Sequence, residues 1–144
     1  APLIDEILTD LTTLAEQKNI TFHQNCEDIC MIGSDTLIYR LLFNLIENAI
    51  KYSNDDGEIK IDAYSKGEKI YVDIFNSGKC IEEKELNKIW DRFYKSDKSR
   101  TNKLSTGLGL PIVRSILSQH NEDIWVKNIE GKGVSFIFTL KKSH

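Results

Sequence analysis

Proline occurs only twice in these 144 residues and cysteine only three times. With prolines at Pro2 and Pro111 alone, no Pro-rich linker divides the chain, and neither an internal repeat nor a low-complexity segment does so. One domain over residues 1–144 is expected, long enough for a single substantial core. Cys26, Cys30 and Cys80 are odd in number and lack the paired spacing of zinc ligands, so they read as free thiols in a reducing compartment. A basic excess is missing as well: the formal net charge is −3, which argues against a nucleic-acid binder. No apolar run approaches the length of a membrane span, and the opening Ala1-Pro2-Leu3-Ile4-Asp5-Glu6 has no signal-peptide character. A cytoplasmic domain with no membrane segment of its own is the expectation. What is present, 40% hydrophobic and 28% charged residues, is the composition of an ordinary globular protein.

Periodicity sets out the elements. Leu3, Ile4, Ile7, Leu8, Leu11 and Leu14 recur at helical spacing and predict an amphipathic helix ending near Lys18-Asn19. Ile20 to Gln24 alternates as a short strand, with Asp28 to Ile32 as a possible hairpin partner before Gly33. Ser34 or Asp35 caps a long helix that runs to about Ser53, and residues 54–57 form a turn cluster. Glu58 to Tyr64 and Lys69 to Phe75 predict a hairpin, and Ile81 to Ile89 a short helix. Another helix starts near Gly109-Leu110-Pro111, where the missing proline N–H costs nothing in a first turn, and runs to His120. Asp123 to Ile129 and Val134 to Leu140 close the chain as a third strand pair. Helices and strands that do not alternate strictly predict an α+β layer, a mainly antiparallel or mixed sheet covered by helices on one face.

Three segments carry chemistry. In Asn44-Leu-Ile-Glu-Asn48-Ala-Ile-Lys51-Tyr52, two asparagines stand one turn apart in mid-helix, although asparagine competes with the helix backbone for hydrogen bonds. With Glu47 and Lys51 they form a polar stripe beside the apolar stripe of Ile38, Leu41, Leu42, Leu45 and Ala49. Amide oxygens next to a carboxylate and an ammonium suit a hydrated Mg²⁺ and the phosphates it bridges; a solvated helix face is the plainer alternative. Ser105-Thr106-Gly107-Leu108-Gly109-Leu110-Pro111 is a glycine-rich turn entering a helix, whose free N–H groups favour phosphate. The basic stretch before it, with Lys95, Lys98, Arg100 and Lys103, places cations where phosphates would sit, and the absence of a Gly-Lys-Ser/Thr ending excludes a P-loop. Asn76-Ser77-Gly78-Lys79-Cys80-Ile81 ends a strand with a polar side chain suited to the edge of a flat ring, or is a plain turn.

Together and in this order, the three segments resemble the catalytic and ATP-binding domain of sensor histidine kinases, of the ATPase superfamily shared with type II topoisomerases, heat-shock chaperones and mismatch-repair ATPases. Residues 44–52 resemble its N box, Ile89-Trp-Asp-Arg-Phe93-Tyr-Lys95 its F box and residues 105–110 its second glycine box, with Ser105 in place of the first glycine. Gly131-Lys-Gly133-Val-Ser-Phe136 matches the last turn and strand. In the first glycine box, Asn76 replaces the family's aspartate and Cys80 its second glycine. An amide offers the adenine amino group an acceptor and the ring nitrogen a donor, so adenine recognition is expected to persist.

The resemblance implies a two-layer α/β sandwich, with about five strands under three main helices and a flexible ATP lid over residues 92–106. It implies ATP and Mg²⁺ as ligands. Asn48 would be the metal ligand, Asn44 would lie near metal and phosphates, Lys51 would contact phosphate, and Tyr52 would pack at the nucleotide. Asn76, Gly78 and Ile81 would serve the base. Arg92, Lys95 and Arg100 would reach phosphate from the lid, and Thr106, Gly107, Leu108, Gly109 and Leu110 would lie along the second glycine box. The implied reaction is transfer of the γ-phosphoryl group to a histidine on a separate dimerisation and phosphoacceptor domain, then to an aspartate of a response regulator, in a parent anchored to a membrane. None of His23, His120 and His144 stands in an acceptor motif. Two alternatives remain: a serine kinase of the same fold, as in anti-sigma factors, and a degenerate nucleotide-binding scaffold serving as a protein-interaction module.

Overall fold

A computed structural model describes residues 2–26, 36–82, 84, 86, 109–119 and 121–141. Its elements run α1 (Pro2–Asp10), α2 (Thr12–Lys18), β1 (Thr21–Cys26), α3 (Thr36–Tyr52), β2 (Glu58–Lys66), β3 (Lys69–Ser77), α4 (Gly109–Gln119), β4 (Ile124–Ile129) and β5 (Gly133–Lys141). The single N-terminal helix expected from periodicity is bent at Leu11, whose backbone sits at φ −100° and ψ 6°. Hydrogen bonds continue through the bend, from Leu11 N–H to the Ile7 carbonyl and from Ala15 N–H to the Leu11 carbonyl. Thr9 and Thr12 donate their hydroxyls to the carbonyls four residues back, at 2.9 and 3.0 Å, a pattern that bends helices. Ile7, Leu11 and Ala15 stay buried along one face.

The sheet has five strands in the order β1-β2-β3-β5-β4. β2–β3, β3–β5 and β4–β5 pair antiparallel, whereas β1 pairs parallel to β2, with Thr21 opposite Glu58. Parallel neighbours need a long crossover, and α3 lies within it. Among the described residues β1 pairs with β2, and the hairpin strand expected at 28–32 lies outside them.

Alternation divides the sheet cleanly. Ile59, Ile61 and Ala63 of β2, Ile70, Val72 and Ile74 of β3, and Val134, Phe136 and Phe138 of β5 are buried beneath the helices. α3 packs Leu41, Leu42, Leu45, Ile46, Ala49 and Ile50 into the same core, and α4 adds Leu110, Val113 and Leu117. Each large aliphatic side chain buried there contributes about 1.5–3 kcal/mol before entropy is counted. The opposite face of the sheet leaves Tyr64 and Trp125 exposed. Among the described residues, no helix is long and apolar enough to cross a membrane.

Candidate functional site

The polar stripe of α3 forms as its spacing predicts. Asn44, Glu47, Asn48, Lys51 and Tyr52 are all half-buried, next to a fully buried apolar stripe. Lys51 Nζ pairs with Glu47 Oε1 at 3.5 Å, one turn back, with only 14% of the lysine side chain exposed. The buried Nδ2 of Asn48 has no hydrogen-bond partner among the described residues.

The end of α3 is held from α2. Lys18 Nζ donates to the carbonyls of Ile50 at 3.0 Å, Lys51 at 2.6 Å and Ser53 at 3.0 Å. An ammonium suits the negative end of a helix. Burial holds the Lys18 ammonium below the ordinary lysine range, with Asp55 opposing that shift. The next residue, Asn19, takes the left-handed conformation at φ 54° and closes α2.

β3 brings the second group of residues against this helix end. Asn76 lies on the helix-facing side of the sheet, opposite Ile59, and is only 1% exposed. Its Nδ2 donates to the Ser77 carbonyl at 3.3 Å, while its buried Oδ1 has no partner among the described residues. Asn54 N–H donates to the Ser77 carbonyl at 3.3 Å, and Ser77 Oγ contacts Asn54 Oδ1 at 2.8 Å. Gly78 follows at φ +135°, where an added Cβ would meet Asn54 N at 3.1 Å and the Tyr52 carbonyl at 3.2 Å. The chain can pass so close to the end of α3 only as glycine. Gly133 is tighter still: a Cβ there would fall 2.0 Å from the Asn76 carbonyl oxygen.

The loop after Gly78 is tied to the β4–β5 hairpin. Gly78 N–H donates to the Lys132 carbonyl at 3.0 Å. The Cys80 thiol lies 3.4 Å from the Gly133 carbonyl and 3.6 Å from that of Ile129, so its side chain fills a contact within the loop. Asn128 receives Ile81 N–H on Oδ1 at 3.0 Å and donates Nδ2 to the Ile81 carbonyl at 2.8 Å.

The end of α3, the helix that carries Asn44, Asn48, Lys51 and Tyr52, thus meets the end of β3, which carries Asn76 and leads on to Gly78 and Ile81: Asn54 N–H bonds to the Ser77 carbonyl, and the Tyr52 carbonyl lies close against Gly78. Gly109 begins α4 and Leu110 is buried in the core. Arg92, Lys95, Arg100, Thr106, Gly107 and Leu108 lie outside the described residues, as do Cys30, the F box, the 92–106 segment, the caps Ser34 and Asp35, and His120 and His144. Most of the short helix expected at 81–89 lies there too. His23 sits on β1, exposed, with Nε2 3.3 Å from Glu58 Oε2. Lys18, Asn54 and Asn128 carry no signal in the sequence, because each acts through a partner distant in the chain and none stands in a motif; Ser77 lies in the first glycine box, but its bonds to Asn54 have no local spacing to announce them.

Residues 33–144 match the family described as Histidine kinase-, DNA gyrase B-, and HSP90-like ATPase. The chain is 36% identical over 139 residues to the sensor histidine kinase WalK of Bacillus subtilis, covering 93% of this chain and 23% of that protein. It is 41% identical over 102 residues to the sensor protein kinase WalK of Staphylococcus haemolyticus, covering 67% of this chain and 16% of that protein. The chain therefore spans less than a quarter of these relatives. Among solved structures, the catalytic domain of histidine kinase ThkA superposes with a TM-score of 0.82 at 33% identity, over 98% of this chain and 91% of that one. ThkA in complex with the response regulator protein TrrA superposes with a TM-score of 0.76 at 30% identity, over 99% of this chain and 40% of that one. With an N-box helix meeting the loop after β3 in the same fold, the chain belongs to the Histidine kinase-, DNA gyrase B-, and HSP90-like ATPase family, as the catalytic ATP-binding domain of a sensor histidine kinase.

Proposed function

We propose that this domain holds Mg²⁺-ATP between the polar stripe of α3 and the loop after β3, and presents the γ-phosphoryl group to a histidine of the parent protein's dimerisation domain. One observation carries the assignment of sides. Of the three buried polar atoms without a partner among the described residues, two belong to Asn48 and Asn76, one on each side of the site. Leaving a buried amide unpaired costs about 1–3 kcal/mol, a cost that a bound ligand removes.

Asn48 can turn its amide to offer oxygen to Mg²⁺, with Asn44 one turn away; the two ends of an amide are nearly isosteric. Mg²⁺, held by these residues, would supply positive charge to offset that of the phosphates. Lys51, already facing Glu47 at 3.5 Å, exchanges or shares that partner with a phosphate. Asn76 offers Oδ1 to the adenine amino group. In the transfer, an acceptor imidazole nitrogen attacks the γ-phosphorus, the bond from that phosphorus to the β–γ bridging oxygen breaks, and ADP leaves. Arg92, Lys95 and Arg100, with Thr106, Gly107 and Leu108, complete the phosphate end in this reading. The phosphoryl group then passes to an aspartate of a response regulator, as the ThkA–TrrA complex suggests by its pairing. The parent is membrane-anchored in the same reading, with this domain on the cytoplasmic side.

Transfer is tested by supplying the parent's dimerisation domain in trans with radiolabelled ATP and Mg²⁺. Label is expected on that domain's histidine and not on this chain. Stable label on His23, His120 or His144 overturns the assignment, and absence of Mg²⁺-dependent ATP binding returns the domain to a scaffold role.

A further inference from the structure

We propose that Asn128 is a positioning residue for the nucleotide, fixing the base-side loop through Ile81; this rests on the nucleotide reading above. Asn128 sits on β4, which among the described residues is an edge strand paired only with β5, and its side chain extends the pairing sideways. With Oδ1 accepting from Ile81 N–H at 3.0 Å and Nδ2 donating to the Ile81 carbonyl at 2.8 Å, the amide does for Ile81 what a neighbouring strand's backbone would do. Residue 81 has no β partner among the described residues, so without Asn128 both its backbone groups lose these bonds.

The other anchors show why this one matters. Gly78 is held by the Lys132 carbonyl and Cys80 by its thiol near Gly133 and Ile129, and both lead back to the same hairpin. A thiol is a weak donor and holds its partner loosely. The two-point amide clasp is therefore the firm end of the loop that follows β3, and it sets where Ile81 stands relative to the Asn76 amide. Asn128 does not touch the nucleotide; it acts through the loop.

The clasp needs a donor and an acceptor at once, which gives a test by protonation. ATP affinity of the 144-residue chain is measured with Mg²⁺ for wild type, Asn128→Ala and Asn128→Asp, at a temperature where circular dichroism shows every nucleotide-free variant folded. Asn128→Ala is expected to weaken binding about tenfold at all pH values. In Asn128→Asp, an ionised carboxylate faces the Ile81 carbonyl and raises the aspartate's own pKa. The variant should bind about as weakly as Asn128→Ala near about pH 8 and recover, relative to wild type, as pH falls toward about 5 and the carboxyl becomes a donor. Wild-type affinity retained in Asn128→Ala, or an Asn128→Asp profile parallel to wild type, overturns the positioning role. Failure of the wild type itself to bind ATP overturns instead the nucleotide reading on which the role rests.

Discussion

On one side of the proposed site, α3 carries Asn44, Asn48 and Lys51 within a single stretch of helix. On the other, Asn76, Gly78 and Ile81 are placed by β4 and β5, with Asn128 47 residues beyond the Ile81 it clasps. The helical side is local. Its side chains point the right way because they recur at three and four residues, and its fold-holding stripe is separate from its polar one. The loop side is assembled from distant contacts, and its glycines are fixed by close backbone approach. Substitutions in the helix stripe should therefore act on the ligand and spare the fold, whereas substitutions under the loop should disturb both.

Asn48→Ala gives the largest expected effect. Mg²⁺-dependent binding or transfer should fall at least about 100-fold, the scale of losing a contact to developing phosphoryl charge. Melting temperature should hold or rise, since the change removes an unpaired buried Nδ2 and replaces a poor helix former with the best one. Calorimetry with and without Mg²⁺-ATP checks both halves, and normal transfer to a supplied acceptor would remove Asn48 from the metal site.

Gly133→Ala probes the other side. Its Cβ would stand 2.0 Å from the Asn76 carbonyl and 2.9 Å from Ser77 Cα, both backbone atoms that cannot simply swing away. The fold should lose about 2–4 kcal/mol by chemical denaturation, with ATP affinity falling alongside. A variant as stable as wild type would mean the β3–β5 contact has room to spread.

Asn76→Ala should lower ATP affinity about tenfold and narrow the preference for ATP over GTP, since the orphan Oδ1 is lost from the base edge. Asn76→Asp keeps an acceptor and removes the donor, which should sharpen discrimination against guanine. Unchanged affinity and base preference in Asn76→Ala would separate the side chain from the base.

The smallest effect belongs to Asp73, the third residue with a buried polar atom unpaired among the described residues, on the sheet face turned away from the helices and directly opposite Asp62. Burial raises its pKa first; a Ser135 hydrogen bond opposes this, and Asp62 adds to it. A carboxyl whose folded pKa is raised holds its proton longer in the native state than in the unfolded chain. Its ionisation therefore lowers stability as pH rises from the ordinary carboxylate value through the raised one, and the loss is complete above that. Asp73→Asn should remove this slope and stabilise the neutral-pH fold by under about 1 kcal/mol after solvent screening. ATP affinity should not change. Altered affinity would tie the far face of the sheet to the site.

The N-box helix with its two stripes, the hairpins β2–β3 and β4–β5 and the family were legible along the chain, because periods of two and of 3.6 residues and the order of short motifs are local properties. The bend at Leu11 was harder to read: it comes from threonine hydroxyls that compete for helix carbonyls without interrupting the apolar spacing. The parallel partner of β1 was not legible, since alternation places a strand's faces and says nothing about which neighbour it chooses. That Lys18 closes α3, that Gly78 and Gly133 are needed where two backbones nearly touch, and that Asn128 clasps Ile81 became visible only in the folded chain. Those pairings join residues far apart in the chain, and a hydrogen bond between them has no spacing to announce it until the sheet brings its two ends within reach.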